Sequence, residues 1–108
     1  MEKIEPMKEH LAITLDKVIH QKNRLGLLSI LMVRKEAEFN YLKEKLKLSD
    51  GNLSTHMSHL EKAGYIKIRK QFVKKRPKTT CILTDKGRKA FAEYLNNLEQ
   101  IIRVIPKD

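Results

Sequence analysis

Asn52, Ser54, Thr55, Ser58, His59 and Lys62 fall within one short stretch, SDGNLSTHMSHLEK. On a helix they form one polar surface of short donors and acceptors with a cation at its end. Asn can pair bidentately with an adenine edge, while Ser and Thr more often contact phosphates. A second group, Lys74, Lys75, Arg76 and Lys78, lies in VKKRPK. From Lys62 to Lys89 there are eleven Lys or Arg against one acid, Asp85. A solvated face normally mixes signs, so a one-sign block of this density calls for a polyanion. Each cation that neutralises a phosphate releases counterions, which makes such binding strong and salt-dependent. The bland readings are an ordinary solvated helix face and a hairpin whose lysines prevent edge pairing. Together, the two groups favour double-stranded DNA over either.

The flanking residues show which elements must carry these groups. Ser49 is a good N-cap for a helix over 50–63, and Gly64 suits the position just past its end. On a wheel at about 100° per residue, Leu53, Met57 and Leu60 cluster on the core side and His56 sits at its edge. Gly51, Thr55, Ser58 and Lys62 lie opposite. Residues 65–72 alternate, with Ile66 and Ile68 on one face and Lys67 and Arg69 on the other. Residues 73–78 form a hairpin tip in which Pro77 argues against a central strand. Residues 79–83 return, and Thr84 caps a last helix of about 20 residues.

Upstream, Met7, Leu11, Leu15 and Val18 recur at helical spacing and predict a first helix of about three turns after a frayed, charged segment 1–6 that ends in Pro6. RLGLLSILM predicts a second helix buried over most of its circumference, where Gly26 permits close packing. Residues 37–39 suit a short edge strand, and Asn40 an N-cap for NYLKEKLKL. In the last helix Phe91, Leu95, Leu98, Ile102 and Ile105 make a heptad-like seam, widened by Tyr94 and Ile101. A small domain cannot easily bury that seam alone. Leu11, Leu15 and Val18 on the first helix, and Phe91, Leu95, Leu98 and Ile102 on the last, are thus two apolar stripes left without a partner. The fold class is α+β, mainly helical with a small hairpin, in the order α-α-(β)-α-α-β-β-α, as one domain over 7–105.

The chain has 108 residues, 23 Lys plus Arg, 13 Asp plus Glu and a formal charge of +10. One domain of this length has a modest core and gains burial by dimerising. The single cysteine, Cys81, excludes an internal disulfide and a cysteine-cluster metal site. By alternation it shares a face with Leu83, which predicts a buried, inert thiol. Two imidazoles one turn apart, His56 and His59, make a poor metal site by themselves. No cofactor, metal or membrane association is expected, and the chain is expected to be cytoplasmic. There is no phosphate-binding glycine loop and no acid–base relay around the serines, so no enzymatic activity is expected.

LSDGNLSTHMSHLEKAGYIKI resembles the recognition helix and first wing strand of MarR-like and ArsR-like winged-helix regulators. PKTTCILTDKGRKAF resembles their second wing strand and the start of their last helix. NRLGLLSILM and FNYLKEKLKLS resemble the two helices before. The resemblance spans about residues 15–100. It implies a winged helix-turn-helix and a homodimeric transcriptional regulator on a pseudo-palindromic site. It places DNA contacts at Asn52, Ser54, Thr55, Ser58, His59 and Lys62 and on the wing at Lys74, Lys75 and Arg76, with the first and last helices at the dimer interface. The metal-sensing relatives carry cysteines on the recognition helix, and this chain has none there. The alternatives are a winged helix used for protein contacts and a non-specific architectural or RNA binder. The second lacks the aromatic platform that single-strand readers use, since Tyr65 and Phe72 are the aromatics near the basic block.

Overall fold

The computed structural model describes residues 11–106. Helix α1 spans Lys22–Arg34, strand β1 Glu36–Glu38, helix α2 Phe39–Leu46, helix α3 Asp50–Lys62, strand β2 Ile66–Val73, strand β3 Arg76–Leu83 and helix α4 Asp85–Arg103. The three strands form an antiparallel sheet in the order β1-β3-β2. This is the α+β winged helix-turn-helix that the sequence predicts.

The core follows from the apolar spacing. Leu27, Leu28 and Leu31 of α1, Leu42 of α2, and Leu53, Met57 and Leu60 of α3 are all buried, and Ile66, Cys81, Phe91 and Tyr94 close the cluster. Gly26 earns its place in α1, since a Cβ there would lie 3.0 Å from Leu46 Cδ2 on α2. Gly87 is under a harder constraint. Thr84 caps α4 by accepting from Gly87 N at 2.9 Å, and its own N–H donates to Tyr65 O at 3.1 Å. The first turn of α4 is thereby pressed onto the α3–β2 junction, and a Cβ on Gly87 would sit 2.1 Å from the Tyr65 carbonyl oxygen.

Four local expectations are corrected. First, no three-turn helix precedes α1 among the described residues: a 3-10 turn covers Leu11–Thr14, and turns and bends carry the chain from there to α1. Asp16 stops the helix, because its Oδ1 accepts from Val18 N at 2.8 Å and Ile19 N at 3.2 Å, giving the backbone an alternative to helical bonds. Met7, Pro6 and the segment 1–6 lie outside the described residues, as does the side chain of Leu11. Leu15 and Val18 are half-buried, and Ile19, which carried no periodic signal, is fully buried.

Second, the N-cap of α2 is Glu38 rather than Asn40, without a side-chain cap bond, because β1 runs into α2 with no linker. Third, the hairpin tip is not six residues but the two-residue turn Lys74-Lys75, with φ of 53° and 67°. Pro77 lies inside β3 opposite Phe72. There β3 extends past its pairing with β1, which involves only Thr80–Ile82, and the strand can tolerate a residue without an N–H. Fourth, Phe91 is not part of a surface seam. At 4% exposure it is spent inside the chain's own core, stacked near Tyr94.

Candidate nucleic-acid interface

Helix α3 is held from both ends and along one side. Ser49 Oγ accepts from Asn52 N at 3.1 Å, and the chain leaves the helix through Gly64 at φ +83°. At the side, Arg24 Nη1 donates to His56 Nδ1 at 3.2 Å, and Asn23 lies against His56 Nε2. A guanidinium can only donate, so His56 Nδ1 must be unprotonated. Burial first, then the charges of Arg24 and His59, lower the His56 pKa below its ordinary value. Both ring nitrogens are thus engaged in clamping α3 to α1, as suits a residue at the edge of the helix's inner face.

The six polar residues singled out on α3 are all exposed, but they do not form one group. Asn52, Thr55, His59 and Lys62 recur at 3, 4 and 3 and make an outward ridge. Thr55 Oγ1 donates to Gly51 O at 3.0 Å. Its proton is therefore committed to the helix, leaving a methyl group and an acceptor facing out. Ser54 and Ser58 turn instead toward the wing. With Glu61, Ile68, Lys70 and Thr79 they line a groove of about 390 Å³ between α3 and the sheet. Glu61 in this groove was missed by sequence reasoning. Its spacing of 3 from Ser58 was the available signal. Asp50 at the helix start is held by Lys43 at 2.8 Å, which offsets its charge on this face.

The wing cations also divide. Arg69 pairs with Glu36 at 3.2 Å, and Lys78, half-buried, pairs with Glu38 at 3.7 Å. Strand β1 thus neutralises two of the bases at the wing's root. Lys78 belongs to this root and not to the tip. Lys74, Lys75 and Arg76 are exposed and form no ion pair among the described residues. Two non-glycine residues at positive φ cost on the order of 1 kcal/mol each. The turn therefore holds its two lysines in a conformation that Asn-Gly would adopt more readily.

Behind the interface, Tyr65 OH donates to Asp16 Oδ2, and His20 Nδ1 meets Tyr94 OH at 2.8 Å. Burial, with the Asp16 bond second, pushes the Tyr65 phenol up to about 12. These two bonds tie the segment before α1 to the root of the wing and to α4. Cys81 is fully buried, and burial, with Glu61 second, pushes its thiol up to about 12. The folded state then holds a proton that the unfolded chain releases above about pH 9, so this group's contribution to stability is lost as pH rises from 9 toward 12. Native protein at pH 8 should resist iodoacetamide for hours, while protein in denaturant is alkylated within minutes. Rapid labelling of the native thiol would show that Cys81 is open to reagent.

On α4, Leu95 (44%) and Ile102 (60%) are exposed, with Leu98 and Ile101 half-buried between them, and Ile105 (59%) is exposed just past its end. An apolar stripe remains on this helix after Phe91 and Tyr94 have been used. No helix among the described residues is long and apolar enough to cross a membrane.

A helix-turn-helix carrying an exposed polar third helix and a basic two-stranded wing defines a winged-helix DNA-binding protein. The chain belongs to the winged helix DNA-binding domain family, whose model matches residues 23–102. These are non-enzymatic DNA-binding proteins. An uncharacterised protein of Methanocaldococcus jannaschii is 40% identical over 89 residues, covering 82% of this chain and 97% of the relative. A transcriptional regulator homologue from Pyrococcus horikoshii OT3 superposes with a TM-score of 0.78 at 28% identity, over 88% of this chain and 92% of that one. Reduced AbfR, in a structure bound to DNA, superposes with a TM-score of 0.62 at 26% identity, over 85% of this chain and 66% of AbfR. An ArsR family transcriptional regulator, 18% identical, shares the fold with a TM-score of 0.58 over 94% of this chain and 96% of its own.

Proposed function

We propose that the chain is a homodimeric transcriptional regulator that binds a pseudo-palindromic operator. In this reading α3 enters the major groove, with Asn52, Thr55, His59 and Lys62 toward the base edges and Ser54 and Ser58 toward the backbone on the wing side. Lys74, Lys75 and Arg76 lie along the neighbouring backbone, with Arg76 suited to a narrow minor groove. The observation that carries the reading is the exposed ridge of α3 beside a wing tip whose cations form no ion pair among the described residues. The AbfR complex supports DNA as the ligand.

The test is selection of genome fragments by the purified protein at about 150 mM salt, near physiological ionic strength. Enrichment of an inverted repeat, with half-sites about one helical turn or roughly 34 Å apart, is the expected outcome. Uniform enrichment that disappears with added salt would leave only charge at work. On the enriched site, Asn52→Ala should weaken binding by about 1–3 kcal/mol and spare random DNA. Lys75→Ala should weaken both alike. Equal losses on both DNAs from Asn52→Ala would remove it from the base readers.

The apolar stripe of α4 is the proposed dimer surface, together with Leu15 and Val18. Leu98→Asp and Ile102→Asp should each convert the dimer to monomer in sedimentation and lower operator affinity. Ile102→Asp is the cleaner variant, because its side chain is exposed and contributes little to the chain's own core. A variant that still sediments as a dimer would move the interface elsewhere.

A further inference from the structure

The wing presents an apolar feature that its charge does not explain. Phe72 is 77% exposed and Val73 43% exposed, next to Lys74, Lys75 and Arg76. Cross-strand register places Ile66 with Leu83, Ile68 with Cys81, Lys70 with Thr79 and Phe72 with Pro77. Since side chains alternate along a strand, these pairs share one face. That face begins in the core, passes the groove beside Ser54 and Ser58, and ends at Phe72 and Pro77. A phenylalanine serving only hairpin stability would cover most of its ring against its cross-strand neighbour. This one stands in water at the outer rung of the wall that faces the groove.

We infer that Phe72, backed by Pro77, is an apolar wedge that enters the minor groove of bound DNA and partly unstacks a base step. The inference rests on the DNA-binding reading above. Its geometry is favourable: Phe72 lies four residues beyond Ile68, about 13 Å further along the strand. With α3 in a major groove, that reach leads toward the adjacent minor groove, about 6 Å wide. Lys74 and Lys75 form the turn just beyond the ring, and Arg76, paired with Val73, lies on the opposite face of the hairpin; the three would reach phosphates around the point of insertion, so apolar insertion and charge neutralisation occur together. Apolar side chains inserted this way kink the duplex toward the major groove, most easily at flexible TA steps. The two-residue turn keeps the wedge short and stiff, as insertion requires.

The test uses a 30-bp duplex of alternating A·T pairs with 2-aminopurine replacing one adenine in each of several positions, at low salt. Binding is followed by anisotropy, and unstacking by 2-aminopurine fluorescence. The wild-type protein should saturate the duplex and raise the fluorescence at interior positions alike, since every interior TA step of this duplex is equivalent. Phe72→Thr, which keeps strand propensity, should still saturate the duplex but lose most of the rise, and Phe72→Leu should restore it. Lys75→Ala should raise the concentration needed for saturation and leave the rise at saturation intact. An undiminished rise with Phe72→Thr, or no rise with the saturated wild type, overturns the wedge while leaving DNA binding in place. An absence of any anisotropy change overturns both.

Discussion

Gly87→Ala should unfold a large fraction of the protein at temperatures where the wild type is intact. The added Cβ would lie 2.1 Å from Tyr65 O and 2.9 Å from both Tyr65 C and Cα. All three are backbone atoms, so no side-chain rotation relieves the overlap. Either α4 lifts from the α3–β2 junction or the Thr84 N–H to Tyr65 O bond is lost. Overpacking of a rigid contact costs about 1–3 kcal/mol and occasionally more. We place this case at about 3 kcal/mol, because backbone must move on both sides. In a domain of this size that is a fall in Tm of about 12–24 °C. Gly51→Ala is the matched control, with nothing within 4 Å of its Cβ, and should leave Tm unchanged or slightly raised. Thermal melts of the two variants by circular dichroism check the pair. Similar melting temperatures would show that the α4 start is not pinned as described.

The wing supplies the second large effect. Replacing Lys74, Lys75 and Arg76 together by alanine should lower DNA affinity by about 3 kcal/mol per wing, roughly a hundredfold, at about 1 kcal/mol per exposed contact. The slope of log affinity against log salt should fall by about 0.9 for each phosphate contact removed. Alanine keeps a Cβ, so the strain of positive φ at 74 and 75 is unchanged and the loss reports charge. A second variant, Lys74→Asn with Lys75→Gly, separates the two quantities in opposite directions. It should raise stability by about 1–2 kcal/mol, because Asn-Gly fits the turn, while weakening DNA binding. Calorimetry and fluorescence anisotropy at several salt concentrations measure both. Undiminished affinity in the triple variant would mean that the wing does not reach DNA.

Much of this fold could be read from the chain because its signals are local. Ser49 and Thr84 cap the helices they precede, Gly64 ends α3, and the Leu53, Met57 and Leu60 spacing assigns its inner face. The hairpin differs from its expected form because the usual turn signals are absent from it. Every non-glycine residue at positive φ among those described is a lysine: Lys35, Lys47, Lys74 and Lys75. Lysine marks no turn, so the sequence suggests a six-residue tip around the conspicuous Pro77 where the chain makes a two-residue turn.

Sequence alone determined the element order, the inner faces of the helices, the basic block and the polar face of α3, because these depend on spacing and residue type along one segment. Tertiary structure decided how those residues are apportioned. Strand β1 brings Glu36 and Glu38 beside Arg69 and Lys78, so charge equal in sequence becomes unequal in space. Packing consumes Phe91 and leaves Ile102 exposed, although both fit the same seam. The sheet turns Ser54 and Ser58 into a groove and leaves Asn52, Thr55, His59 and Lys62 on the ridge. Periodicity assigns a residue to a face, but the elements that come to lie against that face are set by contacts between distant parts of the chain.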